Sequence, residues 1–138
     1  WVNTTYWMEF DPEVKGRVWA VMSGVHDLPR PKMFRRRSTS TYNGGVTVSD
    51  DGGRTWRVAG ESLPPSAVTC ILLDPTSPKE SRTLYITAFG RGVYKSTDGG
   101  ETWELKNTGI EGDEPFAWWL TRDPEGVLYL VVARRRWA

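Results

Sequence analysis

Ser49-Asp50-Asp51-Gly52-Gly53-Arg54-Thr55-Trp56 and, further along the chain, Ser96-Thr97-Asp98-Gly99-Gly100-Glu101-Thr102-Trp103 share the pattern S-x-D-x-G-x-T-W. Each copy follows a Gly-Val pair at the same distance. Glycine adopts the positive φ that a tight turn needs, and the aspartate carboxylate can accept backbone N–H groups across that turn. The tryptophan after each turn supplies a large apolar anchor. The pattern therefore predicts a repeated β-hairpin held together by its own side chains.

Other landmarks recur in the same order around the two hairpins and define a unit of four strands. Each unit opens with a strand that ends at Asp-Pro, because proline lacks the N–H that a central strand would donate. An apolar strand follows, and its lack of alternation predicts burial on both faces. The third strand leads into the S-x-D-x-G-x-T-W stretch, and a more polar fourth strand leaves it, as suits a sheet edge. The predicted first strands are 6–10, 68–73 and 118–122, the second strands 17–22, 83–89 and 127–133, the third 46–49 and 93–96, and the fourth 56–59 and 103–106.

Units of four antiparallel strands that repeat at roughly 40–50 residues are typical of β-propeller blades. The sequence therefore predicts an all-β protein with about two and a half blades. Blade 1 covers residues 1–62 with a long basic insertion at 24–44, blade 2 covers 63–109, and 110–138 form the first half of blade 3. Because closed propellers have about 4 to 8 blades, we expect one incomplete propeller. The remaining blades of a longer chain, or a second copy, would complete it.

The composition limits the classes of partner. Lysine and arginine number 18 against 17 acidic residues, so the net charge of +1 predicts no general affinity for nucleic acid or membrane. No apolar run approaches the ~20 residues that span a bilayer. Cys70 is the single cysteine and His26 the single histidine. Cys70 alternates with Val68 and Leu72 on a predicted inner strand, which favours a buried, inert thiol, and we predict no metal site and no cofactor.

The two S-x-D-x-G-x-T-W stretches resemble the Asp-box of BNR-repeat propellers in the sialidase-like superfamily. The region 72–103 is most similar to xyloglucanase-type glycoside hydrolases and to exo-sialidase-like proteins of bacteria. The resemblance implies a β-propeller in an extracellular or periplasmic protein whose ligand is a carbohydrate or another polyhydroxylated or anionic molecule. It leaves open whether the protein hydrolyses that ligand or is a non-catalytic propeller that binds protein or acts as a scaffold. It also implies a structural role at the periphery for Ser49, Asp51, Gly53, Thr55, Trp56, Ser96, Asp98, Gly100, Thr102 and Trp103.

The predicted strand order separates two sides of the molecule. Turns between the first and second strands and between the third and fourth, with the Asp-boxes, lie on one side, here called the box side. The other connections lie on the opposite side, here called the loop side, where we expect the ligand. Guanidinium groups suit carboxylate or sulfate, and an exposed tryptophan could stack on a sugar. The candidates for ligand binding are Arg30, Arg35, Arg36, Arg37, Arg91 and Trp118. The arginines could instead form a solvated salt-bridge network, and Trp118 could instead be part of the core.

Glycoside hydrolysis would need a pair of carboxyl groups. The two groups lie roughly 5–10 Å apart across the scissile bond in such enzymes. Glu111, Asp113 and Glu114 are the clustered acidic residues of the loop side, and they are the candidates for catalysis.

Overall fold

The computed structural model describes residues 4–24, 43–112 and 115–133, and these form three antiparallel β-sheets. In the first two sheets the strands pair in chain order, and the third is a two-stranded pair. The first sheet contains β1 (Thr4–Phe10), β2 (Val18–Ser23), β3 (Gly44–Ser49) and β4 (Arg57–Ala59), the second contains β5 (Val68–Leu73), β6 (Leu84–Ala88), β7 (Gly92–Ser96) and β8 (Glu104–Leu105), and the third contains β9 (Ala117–Arg122) and β10 (Leu128–Val132).

The prediction of an all-β fold with four-stranded antiparallel sheets is confirmed. Most strand ends differ from their predicted positions by one or two residues. The fourth strands are the shortest, because Trp56 and Trp103 still belong to the turns that precede them. The predicted insertion at 24–44 lies, apart from its first residue and its last two, outside the described residues. No helix in the described ranges has the length and hydropathy to cross a lipid bilayer.

The sheets pack face against face, and the second sheet is covered on both faces. Its β6 places Ile86 against the first sheet, in a core with Trp19 and Val46. On its other face, Cys70 of β5 packs with Leu120 of β9. These side chains are buried. The predicted burial of the second strand on both faces is observed for β6, whose Thr87 is buried toward the third sheet and donates to the Trp118 carbonyl at 3.1 Å.

In β10 this double burial is not seen among the described residues. Its side chains are half-buried or exposed, and Tyr129 and Val131 remain 53% and 50% accessible. The reason is that none of the described sheets lies on the outer face of the third sheet. The residue pattern of a strand sandwiched between layers is present, but one of the layers is not among the described residues.

The first strands of the three sheets carry β-bulges at equivalent positions. Pairing skips Tyr6 in β1, Thr69 in β5 and Trp118 in β9, each five residues before the aspartate of an Asp-Pro pair. The three strands also meet. The Tyr6 ring contacts the Trp118 ring edge-on at 5.8 Å between centroids, and the Thr69 hydroxyl donates to the Trp118 carbonyl at 2.7 Å.

A buried ion pair joins the first two sheets on the box side. Arg82 donates from Nη2 to Asp11 Oδ1 at 2.7 Å and from Nε to Oδ2 at 2.9 Å, and neither side chain is accessible to solvent. Arg82 also donates to Glu13. The bidentate contact with Arg82 lowers the pKa of Asp11 to about 2, and the N–H groups of Glu13 and Val14 add to this effect. A half-buried pair, Arg122 with Asp74 at 2.7 Å, joins the third sheet to the second.

Arg82→Ala should lower the free energy of unfolding by about 3–5 kcal/mol, because it leaves the Asp11 carboxylate buried without its cation. Urea unfolding would measure the change. Arg17→Ala is the matched control, since Arg17 pairs with the half-exposed Asp50 and its loss should cost no more than about 1 kcal/mol. Equal losses in the two variants would contradict the importance of the buried pair.

Stability should fall as the pH drops through the range set by Asp11. Its pKa is about 2 in the folded chain and near its ordinary value in the unfolded chain, so the unfolded state binds more protons between these values. The contribution is complete above about pH 5 and is lost toward pH 2, on the order of 2 kcal/mol in total. The free energy of unfolding, measured with urea at pH 6, 4 and 3, should depend less on pH in Asp11→Asn than in the wild type. An equal pH dependence in both proteins would contradict the assignment to Asp11.

Candidate functional site

The first S-x-D-x-G-x-T-W stretch, which we call the first Asp-box after the motif it resembles, is a closed hydrogen-bonded turn. Asp51 Oδ1 accepts the N–H groups of Arg54 and Thr55 at 2.9 Å each, and Oδ2 accepts the Thr55 hydroxyl at 2.6 Å. The Ser49 hydroxyl donates to Asp51 Oδ1 at 2.8 Å and accepts the Gly53 N–H at 2.9 Å. Gly53 has φ +87°, which a residue with a side chain would adopt only with strain. The Trp56 indole N–H donates to the Gly53 carbonyl at 3.0 Å, so every defined position of the pattern has a role inside the turn.

The second Asp-box repeats this arrangement. The Ser96 hydroxyl donates to Asp98 Oδ1 at 2.7 Å and accepts the Gly100 N–H at 2.9 Å. Asp98 also accepts both the N–H and the hydroxyl of Thr102. The two boxes therefore share the same hydrogen bonds as well as the same sequence pattern.

These hydrogen bonds hold both carboxylates in the charged form. The Thr55 hydroxyl and N–H, followed by the Ser49 hydroxyl, lower the pKa of Asp51 to about 2. Burial by itself raises the pKa of Asp98, but the bonds from Thr102 and Ser96 outweigh it and the net shift is downward. A general acid must carry a proton near neutral pH. The box aspartates are therefore unsuited to proton donation.

The second Asp-box is also attached to the first sheet. The Trp19 indole N–H donates to the Gly99 carbonyl at 3.0 Å. Trp103 lies against Gly60, where an added Cβ would come within 2.2 Å of the indole Nε1. Trp103 is partly buried on the core shared by the two sheets, whereas the equivalent Trp56 is 41% accessible. Trp103 of the second box is therefore an apolar anchor as predicted, and it acts between two sheets. Trp56 of the first box does not have this role among the described residues.

An ion pair accompanies this attachment on the surface. Arg57 of β4 donates to Glu101, in the second Asp-box, at 2.8 Å. Both side chains are more than half exposed. Such a pair contributes little to stability.

The two sides of the molecule are separate in the structure. On the box side, the Gly52 N–H donates to the Gly16 carbonyl and the Gly99 N–H to the Arg82 carbonyl, which ties each Asp-box to the turn between the first two strands of its own sheet. On the loop side, the Gly90 N–H donates to the Pro115 carbonyl at 2.9 Å, which joins a turn of the second sheet to the segment before β9.

Arg91 and Trp118 are the ligand-binding candidates that the structure describes. The Arg91 backbone carbonyl accepts a hydrogen bond from Asn107 Nδ2 at 2.7 Å. Its side-chain Nε is buried and has no hydrogen-bond partner among the described residues. The Trp118 ring contacts Phe89 edge-on at 5.7 Å, in a cluster with Phe116 and Tyr6. Trp118 is thus a packed residue rather than an open stacking platform. Arg30, Arg35, Arg36 and Arg37 lie outside the described residues.

Of the predicted catalytic carboxylates, Glu111 is described and is exposed, while Asp113 and Glu114 lie outside the described residues. Burial raises the pKa of Glu9 in β1, a residue that the sequence did not single out. Burial likewise raises the pKa of the Cys70 thiol to about 11, which keeps it protonated at neutral pH. The described residues contain no cluster of three acidic, histidine or cysteine side chains that could hold a metal ion.

Sequence reasoning missed the residues that join one sheet to the next. Arg82, Trp19 and Gly60 contact partners in the neighbouring sheet, and nothing in their local sequence marks them. The partners of Arg82 and Trp19 lie 71 and 80 residues away in the chain, so no signal in the local sequence could have found them.

Comparison of the chain with models of protein families gave no match, and comparison with curated protein sequences gave none either. The geometry of the boxes and of the loop side is therefore the basis for any functional argument.

Asp98→Ala should lower the free energy of unfolding by about 1–3 kcal/mol, because the Thr102 N–H and neighbouring groups lose their acceptor. Thermal or urea unfolding would measure it. Asp50→Ala removes an aspartate that lies outside the ring of turn hydrogen bonds and pairs with Arg17 on the surface, and it should change stability by less than about 1 kcal/mol. An unchanged midpoint for Asp98→Ala would show that the carboxylate does not hold the turn.

Proposed function

We propose that this chain is part of a BNR-repeat, or Asp-box, β-propeller. Two features support the proposal. Both boxes close through the same hydrogen bonds from serine, aspartate and threonine. The first strands of three successive sheets carry bulges at equivalent positions and lie together, as the inner strands of blades around an axis would. Each sheet would then be a blade.

The proposed function is the binding of a carbohydrate, or of another polyhydroxylated or anionic ligand, on the loop side. The observation that supports it is that four charged groups on the box side are already bound to other groups of the protein. There, Asp11 and Arg82 are buried against each other, and Asp51 and Asp98 are saturated by turn hydrogen bonds. These four groups are engaged within the protein, which supports a ligand site on the loop side. We place the protein outside the cytoplasm, in the periplasm or the extracellular space, as the resemblance to exported hydrolases implies.

Hydrolysis of the ligand would require a further feature, a pair of carboxyl groups across the scissile bond. Glu111, Asp113 and Glu114 are the residues we propose for it if the protein is an enzyme. Glu111 is exposed in the segment before β9, which suits access to a ligand, and one of the three residues would need a raised pKa to act as the acid.

The second candidate is a non-catalytic propeller that binds protein or serves as a scaffold. The aromatic cluster on the loop side favours it. Phe89 stacks on Phe116 at 4.7 Å between ring centroids, and Trp118 lies edge-on to Phe89. Rings that satisfy one another in this way are used for packing and are less available for stacking on sugars.

Isothermal titration calorimetry with xyloglucan-derived and sialylated oligosaccharides would test ligand binding. Arg91→Ala should weaken binding about tenfold or more, because a charge-assisted hydrogen bond is lost. Arg54→Ala is the matched control, since this exposed arginine lies in the first Asp-box and its removal should leave the affinity unchanged.

Three results are decisive in this experiment. Binding that both variants weaken equally would contradict a loop-side site. Binding without release of reducing sugar would support a binding module over a hydrolase. Absence of binding to every oligosaccharide would favour the scaffold.

A further inference from the structure

Arg91 differs from the other arginines that the structure describes. Each of the others donates from its guanidinium group to an oxygen of the protein, and these residues are Arg17, Arg54, Arg57, Arg82 and Arg122. The Arg91 guanidinium makes no such bond within the described ranges, and its buried Nε has no partner there. The position of Arg91 is therefore set by its backbone rather than by its charge.

The first half of the turn that carries Arg91 is held on two sides. This turn connects β6 to β7. The Arg91 N–H donates to the Ala88 carbonyl at 2.9 Å, and the Gly90 N–H donates to the Pro115 carbonyl at 2.9 Å. Phe89, which begins the turn, is only 1% accessible. This half of the turn is thus fixed both to its own sheet and to the segment that leads into the third sheet.

Asn107 fixes the second half of the turn. It follows β8, and its Nδ2 donates to the Arg91 carbonyl at 2.7 Å while its Oδ1 accepts the Val93 N–H at 3.0 Å. Gly92 lies between these two groups with φ +111°, and a Cβ at this place would come within 2.0 Å of Asn107 Oδ1. An amide side chain can donate and accept at the same time. One asparagine therefore holds the backbone on both sides of Gly92.

The first sheet shows that a four-stranded sheet of this kind does not require the asparagine. Counting from Trp56 and Trp103, Gly60 holds in the first sheet the place of Asn107 in the second. Gly60 has no side chain to hold a turn, and it lies against Trp103 instead. The connection from β2 to β3 is also much longer than the turn from β6 to β7. Asn107 therefore occurs together with the short turn and its arginine.

We propose that Asn107 is a positioning residue that holds Arg91 in place for a ligand of the loop side. This role rests on the proposed function, since it needs a ligand that Arg91 contacts. Asn107 acts through the backbone of the turn. Because the Arg91 carbonyl and the Val93 N–H are fixed before the ligand arrives, less conformational entropy is lost when the guanidinium binds.

A double-mutant cycle tests this role by isothermal titration calorimetry with xyloglucan-derived and sialylated oligosaccharides. Asn107→Ala should weaken binding about tenfold in the wild-type chain and have little further effect in Arg91→Ala, because the two residues act as a unit. Thr108→Ala changes the exposed neighbour of Asn107 and should bind like the wild type. Circular dichroism would establish that each variant is folded.

Hydrogen exchange measured by NMR reports on the turn without any ligand. The Val93 N–H should exchange faster in Asn107→Ala than in the wild type, because it loses its acceptor. Asn107→Asp keeps an oxygen for the Val93 N–H but has no donor for the Arg91 carbonyl. It should therefore restore the slow exchange of Val93 and leave the affinity weakened. This variant also decides the question if Asn107→Ala does not fold.

The outcomes separate this role from the proposed function. A wild-type chain that binds none of the oligosaccharides would overturn both. If the wild type binds, an equal loss of affinity from Asn107→Ala with and without Arg91 would overturn the role of Asn107 alone. An Asn107→Asp protein that binds as tightly as the wild type would do the same.

Discussion

A β-sheet with apolar side chains on both faces requires a layer on each of them. The second sheet meets this requirement, since Ile86 is buried against the first sheet and Cys70 against the third. The first and third sheets meet it on one face only within the described residues. The burial of side chains, the exposure of Trp56 and the half-exposed β10 all follow from the place of each sheet in the stack rather than from its own sequence.

Polar contacts decide how the layers are aligned. Apolar packing is non-directional, so it does not fix where one sheet lies on the next. The bidentate Arg82 contact with Asp11 fixes it on the box side, and the Thr69 hydroxyl on the Trp118 carbonyl fixes it among the first strands. Because these groups are buried, a shift between the sheets would leave a charge or a hydroxyl without a partner. The buried charged groups of the box side consequently serve to align the sheets.

The sequence predicted what local chemistry determines. The Asp-Pro strand ends, the alternation around Cys70 and the glycine turns depend on neighbouring residues, and strand positions were correct to within a few residues. It could not predict Arg82 as buried, since an arginine in a turn is ordinarily exposed and its partner lies 71 residues away. It could not distinguish Trp56 from Trp103 either, because identical motifs differ only in the sheet that faces them. The ligand-binding and catalytic residues stay predictions for the same reason: their roles depend on contacts with groups far away in the chain.

The ion pair between Arg57 and Glu101 favours one arrangement of the repeats, in which neighbouring repeats carry opposite charges at equivalent positions. Arg54 holds in the first box the place of Glu101 in the second, and Glu104 holds in the second sheet the place of Arg57 in the first. A sheet stacked on a copy of itself would thus set arginine against arginine, or glutamate against glutamate. Stacks that alternate the two types place opposite charges together at each junction. Exposed pairs add little stability, yet like charges in contact disfavour the wrong neighbour. Tandem duplication of a single repeat would therefore bring like charges together at the new junction, whereas repeats that alternate in sign would not.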